Sequence, residues 1–327
     1  MNTASSARAE AFRPELLERR ARLQAAAKSV SVEYLNGLIA EIDAALERMD
    51  AGTYGLCESC HDTIEIDRLE CNPLVRFCLD HLNKAELDAH QQDLDLATQI
   101  QARLLPPTSV SLEHWDARYR YQPVSAVGGD YCELTALDNG RSLFFAVGDV
   151  AGKGVAASLL MTHLTAIFRS LLLLGLPLGE MVARANRLFC ESTGPSHYAT
   201  LVCGFAMADG VEVCNAGHCP PLLLRRESTE RLDSTGLPLG LFCGGVYETR
   251  RLCLEAGESL ALYTDGITEA EADAGEQYGE ERLNRQLREH FGLGPDAMAD
   301  SILPAVARFR QSLPVADDMT LLIVHRR

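Results

Sequence analysis

The stretch that most constrains this chain is residues 142–161, SLFFAVGDVAGKGVAASLLM. An apolar run, Leu143 to Val147, stops at Gly148-Asp149. Gly152, Lys153 and Gly154 follow, and a helix-like run opens at Val155. A short apolar run bounded by glycine reads as a buried strand, and the glycines read as a turn into a helix. Asp149 therefore stands where a core strand ends. A carboxylate there is costly to bury unless it is paired or holds a metal. The alternative is a helix N-cap, a common place for aspartate.

Other acids repeat the placement. Ser259-Leu-Ala-Leu-Tyr-Thr is an apolar run ending in Asp265-Gly266, Asp317-Asp318 precede Met319-Thr-Leu-Leu-Ile-Val, and Asp130 follows Gly128-Gly129. Carboxylates at strand ends suit a hard cation, and magnesium and manganese prefer oxygen ligands. Without a cation, several converging carboxylates repel one another strongly.

On these residues the chain resembles the bacterial SpoIIE/RsbU-type serine/threonine phosphatases, within the metal-dependent PPM (PP2C-like) superfamily. The motifs, in order, are LLPP at 104–107, VGGDY at 127–131, GDVAGKGVAASLLM at 148–161, NAGHCPP at 215–221, LYTDGITEA at 262–270, QYG at 277–279 and DDMTLLIV at 317–324. The resemblance implies that Asp149 bridges two Mn²⁺ or Mg²⁺ ions and that the Val150 carbonyl completes one coordination shell. It has Asp265 and Asp317 hold the other ion, with Asp317 favoured over Asp318, and has Asp130 bind the second metal, directly or through water. Gly152 and Asp318 are counted with the cofactor-binding residues. An activated water would attack phosphorus in line, with no covalent phosphoenzyme. Gly128, Gly129, Gly152 and Gly266 are read as positions where a side chain would crowd the metals. Lys153 is read as solvated or as a contact to substrate phosphate. Asn215 and His218 are expected to hold a loop.

Residues 14–50 read as helical, with Leu35, Leu38, Ile39, Ile42, Leu46 and Met49 on one stripe that must pack on the domain, another helix or a second subunit. Then come Cys57-Glu-Ser-Cys60 and, after seventeen residues, Cys78-Leu-Asp-His81. Paired short motifs at this separation are a structural-zinc signal, each pair on a knuckle turn. Cys71 has no assigned partner. GTYGLCESC, the RLE triplet and the proline before the second pair resemble the DksA/TraR zinc-finger family, from which Cys78-x-x-His81 departs at His81. That family contacts RNA polymerase through a long helical hairpin; no hairpin of that length is visible in this sequence. Residues 82–105 read as a second helix, ended by Pro106-Pro107; it is read either as a plain connector or, as the resemblance implies, as a linker helix that forms a homodimer and relays a signal.

From Trp115 onward, strand-like runs fall at 115–122, 143–148, 198–206, 211–215, 221–225, 247–253, 259–264 and 319–325, and helix-like runs at 155–174, 178–192, 279–290 and 295–312. This is an α+β pattern. The resemblance makes it a PPM/PP2C-like β-sandwich flanked by helices, preceded by a helical segment and a small zinc-binding module. The expected domains are 1–50 (helical), 51–84 (zinc finger), 85–107 (linker helix) and 108–327 (phosphatase).

A formal charge of −16 argues against a nucleic-acid binder held by phosphate contacts. No secretory signal is visible, and His163 and Arg169 break the longest apolar stretch, read as a buried helix rather than a membrane span. Eleven cysteines in such a chain suggest reduced thiols and a cytoplasmic protein. His218-Cys219 to Arg225 formally fits HCx5R, the cysteine-phosphatase loop. That loop presents successive N–H groups to phosphate, and Pro220 and Pro221 have none.

The function expected by resemblance is a metal-dependent protein phosphatase acting on phosphoserine or phosphothreonine. Its substrate would be a phosphorylated STAS-type anti-sigma-factor antagonist in partner switching, with the zinc module in control. Two other readings are a catalytically silent adaptor and a DksA-like binder of the transcription machinery.

Overall fold

The computed structural model describes residues 3–26, 32–81, 84–194, 197–273, 275–311 and 313–327. Residues 27–31, 82–83 and 312 of the expected helical stretches lie outside the described residues, as does the side chain of Leu35. The chain divides into two compact units, Met1–Asp93 and Leu94–Arg327.

In the first unit, helices α1 (Thr3–Ala26) and α2 (Val32–Asp50) form an antiparallel pair, with Arg13 ion-paired to Asp50 and Arg20 to Asp43. The sequence reading did not foresee this hairpin, because it began the helix at residue 14 and so lost half of α1. The α2 stripe of Ile42, Ala45, Leu46 and Met49 packs on Phe12, Leu16 and Leu23 of α1 and on Tyr54, Ile64 and Leu69 beyond it. A short helix, α3 (Ile66–Cys71), follows. Helix α4 (Lys84–Leu104) begins in the first unit and ends in the second.

The second unit holds two antiparallel sheets. Its strands are β1 (Ser109–Ser111), β2 (Trp115–Gln122), β3 (Tyr131–Leu137), β4 (Ser142–Val150), β5 (Ala199–Met207), β6 (Gly210–Ala216), β7 (Leu222–Leu224), β8 (Thr229–Arg231), β9 (Arg250–Leu252), β10 (Ser259–Tyr263) and β11 (Met319–Arg326). One sheet runs β1-β2-β11-β10-β7-β8 and the other β3-β4-β5-β6-β9. Its helices are α5 (Gly154–Leu172), α6 (Leu178–Ser192), α7 (Asp265–Thr268), α8 (Gly279–His290) and α9 (Pro295–Arg310).

Alternation along the strands explains the layers. On β4, Leu143, Phe145 and Val147 point into the space between the sheets, where they meet Trp115, Leu322 and Val324. Phe144, Ala146 and Val150 point the other way, onto α5 and α6. On β11, Leu321 and Ile323 pack outward on α8 and α9. Strands covered on both faces read as unbroken apolar runs, which is why these two were conspicuous in the sequence. Burial of one such side chain as large as Phe145 contributes about 2–3 kcal/mol.

Helix α5 is long and apolar enough to span a membrane. Here its Met161, Leu164 and Phe168 face the sheet, and its Arg169 pairs at 2.7 Å with Glu133, itself 2% exposed.

Antiparallel pairing gathers the acids. Tyr131 at the start of β3 lies opposite Gly148 near the end of β4, and Tyr263 at the end of β10 lies opposite Leu321 near the start of β11. Asp130, Asp149, Asp265 and Asp317 are thus carried at the ends of these paired strands. The strands β1, β3 and β8 were missed from the sequence. β1 and β8 are three residues each, and β3 holds a buried glutamate, Glu133, that disguises it.

Candidate active site

Asp149 is still within β4, and α5 begins only at Gly154, behind an N-cap Lys153 whose side chain makes no cap bond. The N-cap alternative for Asp149 is therefore set aside. Burial raises the Asp149 carboxyl, and Asp265, Asp317 and Asp318 add to it, bringing it up to about 7. Asp265, the first residue of α7, is raised by burial and then by Asp317. Asp130 is 3% exposed and pushed well up by burial. Its Oδ2 accepts hydrogen bonds from the hydroxyls of Thr320 at 2.5 Å and Thr264 at 3.0 Å, which work the other way.

Asp317 is the open member of the group. Its Oδ2 lies 2.9 Å from Lys153 Nζ, which also donates to the Ala316 carbonyl at 2.8 Å, so Lys153 is pinned at the site rather than free in solvent. Both line a cavity of about 390 Å³ with Gly266, Arg310 and Val315. Asp318 differs. Its Oδ1 accepts the Val124 N–H and its Oδ2 the Gly129 N–H, each at 2.7 Å. Its carboxylate is thereby committed to holding the 124–129 loop.

The glycines have more than one reason. A Cβ on Gly129 would press on the Ala157 side chain at 3.0 Å and would meet the Val150 carbonyl oxygen at 3.4 Å and Asp149 Oδ1 at 3.8 Å, at ordinary contact distance. On Gly266 it would collide with the Asp318 carbonyl oxygen at 2.0 Å, and on Gly128 with the Tyr121 hydroxyl and Asp318. Crowding there is by protein atoms. Gly152 has room, but its φ of +116° is a backbone shape that side chains disfavour.

Sequence reasoning missed the residues that hold the acids. Thr264 and Thr320 were legible as polar residues inside the motifs LYTDG and DDMT. Gln101 was not. This residue of α4, 6% exposed, clamps Gly128 from both sides: its amide donates to the carbonyl at 2.7 Å and accepts the N–H at 3.1 Å.

Asn215 and His218 hold a loop. Asn215 exchanges two hydrogen bonds with the His218 backbone, and the N–H groups of Thr235 and Gly236 close on its carbonyl. Burial lowers His218 to about 4. Its Nδ1 is 2.8 Å from the Thr200 hydroxyl, which is 3.4 Å from the Asp149 carbonyl oxygen. The cysteine-phosphatase alternative does not survive. Residues 222–224 are strand β7, Arg225 is bound to Glu258 at 2.9 Å, and burial pushes Cys219 up to about 12.

The donor set fits divalent metal. The donors are all oxygen and stand close enough for their charges to act on one another, although among the described residues only the cysteine–histidine group of the first unit has its ligand atoms drawn together; the one ion pair to any of these five acids is Lys153–Asp317. That charge does not balance the cluster, in which burial first and then the neighbouring acids raise the Asp149 carboxyl. A bound cation removes the repulsion.

In the first unit, ligand atoms of Cys57, Cys60, Cys78 and His81 all lie within 4.8 Å of one another. Cys60 Sγ is 3.8 Å from Cys78 Sγ, and Cys78 Sγ is 3.2 Å from His81 Nδ1. Burial works to raise the Cys57 thiol. Backbone N–H groups of Cys78, Cys60 and Ser59 outweigh it and bring it down to about 6, the thiolate that zinc requires. Three sulfurs and one imidazole nitrogen in this space fit a tetrahedral zinc. Cys71 is exposed and stands apart from the group.

Residues 139–327 match the family model described as Stage II sporulation protein E (SpoIIE). Residues 52–80 match the prokaryotic dksA/traR C4-type zinc finger, a match that ends before the histidine standing in for a fourth cysteine. Protein IcfG of Synechocystis sp. is 27% identical over 268 residues, which are 72% of this chain and 41% of IcfG, so the chain spans less than half of that relative. Phosphoserine phosphatase RsbU of Bacillus subtilis is 24% identical over 241 residues, 72% of this chain and 71% of its own length. The SiaA-PP2C domain of Pseudomonas aeruginosa shares the fold, with a TM-score of 0.63 and 20% identity over 74% of this chain and 98% of that domain. With over half its length matched, and Asp149, Asp265 and Asp317 inside the match, the chain belongs to the SpoIIE family.

Proposed function

We propose that the chain is a metal-dependent serine/threonine protein phosphatase. The observation that carries this is the placement of Asp149 among Asp265, Asp317 and Asp318, where burial first and then the acidic neighbours raise it to about 7. Asp149, Asp265, Asp317 and the Val150 carbonyl would hold two Mn²⁺ or Mg²⁺ ions, with Asp130 behind them. Bound there, the cations supply Lewis acidity at the phosphoryl group and a water made nucleophilic near neutral pH. The chain itself orients and insulates. Asp318 and Gln101 fix the glycine loop, Thr264 and Thr320 fix Asp130, and Lys153 sets Asp317.

The substrate proposed is phosphoserine or phosphothreonine on a regulatory protein, a STAS-type anti-sigma-factor antagonist. Support comes from RsbU, named a phosphoserine phosphatase. Residues 1–50 are proposed as a helical segment, 51–84 as a zinc module, 85–107 as a linker and 108–327 as the catalytic domain, in a cytoplasmic protein. Cys57, Cys60, Cys78 and His81 would hold one structural zinc. Regulation through α4 is supported by Gln101, because a shift of that helix would move the Gly128 loop. A homodimer through α4 is supported by Leu96 and Ile100, which are 56% and 49% exposed one helical turn apart.

The test is hydrolysis of a phosphoserine peptide by the metal-stripped protein with Mn²⁺ or Mg²⁺ restored. Asp149→Asn should abolish metal-dependent turnover, about 100-fold or more, and weaken metal binding in calorimetry. Turnover that survives the substitution excludes this site. No turnover with any metal favours the adaptor reading.

A further inference from the structure

Cys190, half-buried, and Cys243, exposed, meet at one buried asparagine. Cys190 lies in the last turn of α6, one turn beyond Asn186. Asn186, wholly buried, joins that helix to the 240–243 segment: its amide donates to the Phe242 carbonyl at 2.8 Å, and its oxygen accepts the Gly240 N–H at 2.9 Å. The Cys190 thiol approaches the same oxygen at 4.0 Å, and Cys243 directly follows Phe242, whose carbonyl Asn186 holds, so one buried side chain tethers both cysteines to the same spot and Cys243 bears on the Cys190 thiol. Both are free thiols. Cys190 is half-buried and Cys243 is exposed, just before Gly244-Gly245. Cys203 and Cys214 are also neighbours, across β5 and β6, but they are buried in the core where no oxidant reaches.

We propose that Cys190 and Cys243 form a reversible disulfide, made by hydrogen peroxide, that fastens the 240–246 segment to α6. The exposed Cys243 thiolate attacks a peroxide oxygen. The O–O bond breaks, hydroxide leaves and is protonated to water, and Cys243 becomes a sulfenic acid. Cys190 then attacks that sulfur. The S–S bond forms, the S–O bond breaks, and the hydroxyl leaves with the Cys190 proton as a second water. Two thiols lose two electrons and two protons, and one peroxide is reduced to two waters.

The order follows from the surroundings. Burial, and then the neighbouring Cys243, push the Cys190 thiol up to about 11, so it is a poor first nucleophile. Oxidation of Cys243 removes the second of these causes. The link lies close to the candidate active site. Leu239 pairs with Ala199 through two backbone hydrogen bonds of 2.8 and 2.9 Å, and Ala199 is the register partner of Val150, the residue after Asp149.

The experiment treats the full-length, zinc-loaded protein with hydrogen peroxide, alkylates free thiols, and maps peptides by mass spectrometry. The expected product is a peptide joining Cys190 to Cys243, released by dithiothreitol and absent from Cys190→Ser and from Cys243→Ser. Amide exchange at Leu239 and Gly240 should slow several-fold in the oxidised wild type and stay unchanged in both serine variants. Alkylation of both thiols after peroxide overturns the proposal. So does their separate conversion to sulfinic acids, or their pairing with other cysteines.

Discussion

His218 shows how a single buried group writes itself into stability. Its pKa is lowered to about 4 from an ordinary 6.5, with burial as the first cause. The folded state therefore refuses a proton that the unfolded chain accepts. Stability is full above about pH 6.5, falls as pH drops towards about 4, and levels off below that. The gap corresponds to about 3 kcal/mol. Urea unfolding across this window should show it, and His218→Gln should flatten the slope by up to about 1.4 kcal/mol per pH unit. An equally steep slope in the variant assigns the pH dependence to other groups. The same residue lies behind Thr200 and the Asp149 carbonyl, so its role is reached through packing rather than through contact with substrate.

At the scale of elements, the site depends on the approach of the turn after β10 to the turn before β11. Gly266 is where they touch, with the Asp318 carbonyl oxygen 2.0 Å from any added Cβ. Gly266→Ala should cost about 3 kcal/mol or more, measured by thermal or urea unfolding. Metal affinity should fall with it, since Asp265 and Asp317 part together. A variant as stable as the wild type shows that the turns separate without strain. Helix α4 carries a different expectation. Leu96→Glu should turn a dimer into a monomer in light scattering if the exposed pair Leu96 and Ile100 is the seam, and an unchanged mass rejects that seam.

For the whole molecule, the two units draw on different sources of stability. The second has a sandwich with three apolar layers. The first has one small cluster around Tyr54, Leu69 and the cysteines themselves, so the zinc proposed there would supply much of its stability. A zinc-selective chelator, with Mn²⁺ or Mg²⁺ held in excess, should melt the first unit at a temperature lower by about 10 °C or more, read by circular dichroism, while unfolding of residues 94–327 keeps its midpoint. Loss of both transitions together makes zinc a support of the entire chain.

The α+β class and the placement of Asp130, Asp149, Asp265 and Asp317 at strand ends were legible in local patterns, as was the pairing of Cys57-x-x-Cys60 with Cys78-x-x-His81, and the two stacked sheets followed from the family resemblance. Doubly covered strands read as apolar runs, the cysteine and histidine pairs sit on short spacings, and the strand-end acids stand next to glycine. Only the tertiary structure decided the rest. It separated Asp317, open to a cavity, from Asp318, whose two oxygens hold a loop. It paired α1 with α2, brought Gln101 to Gly128, and set Cys190 beside Cys243. Each of these joins residues far apart in the chain, with partners chosen by packing and register. No local periodicity records such a choice.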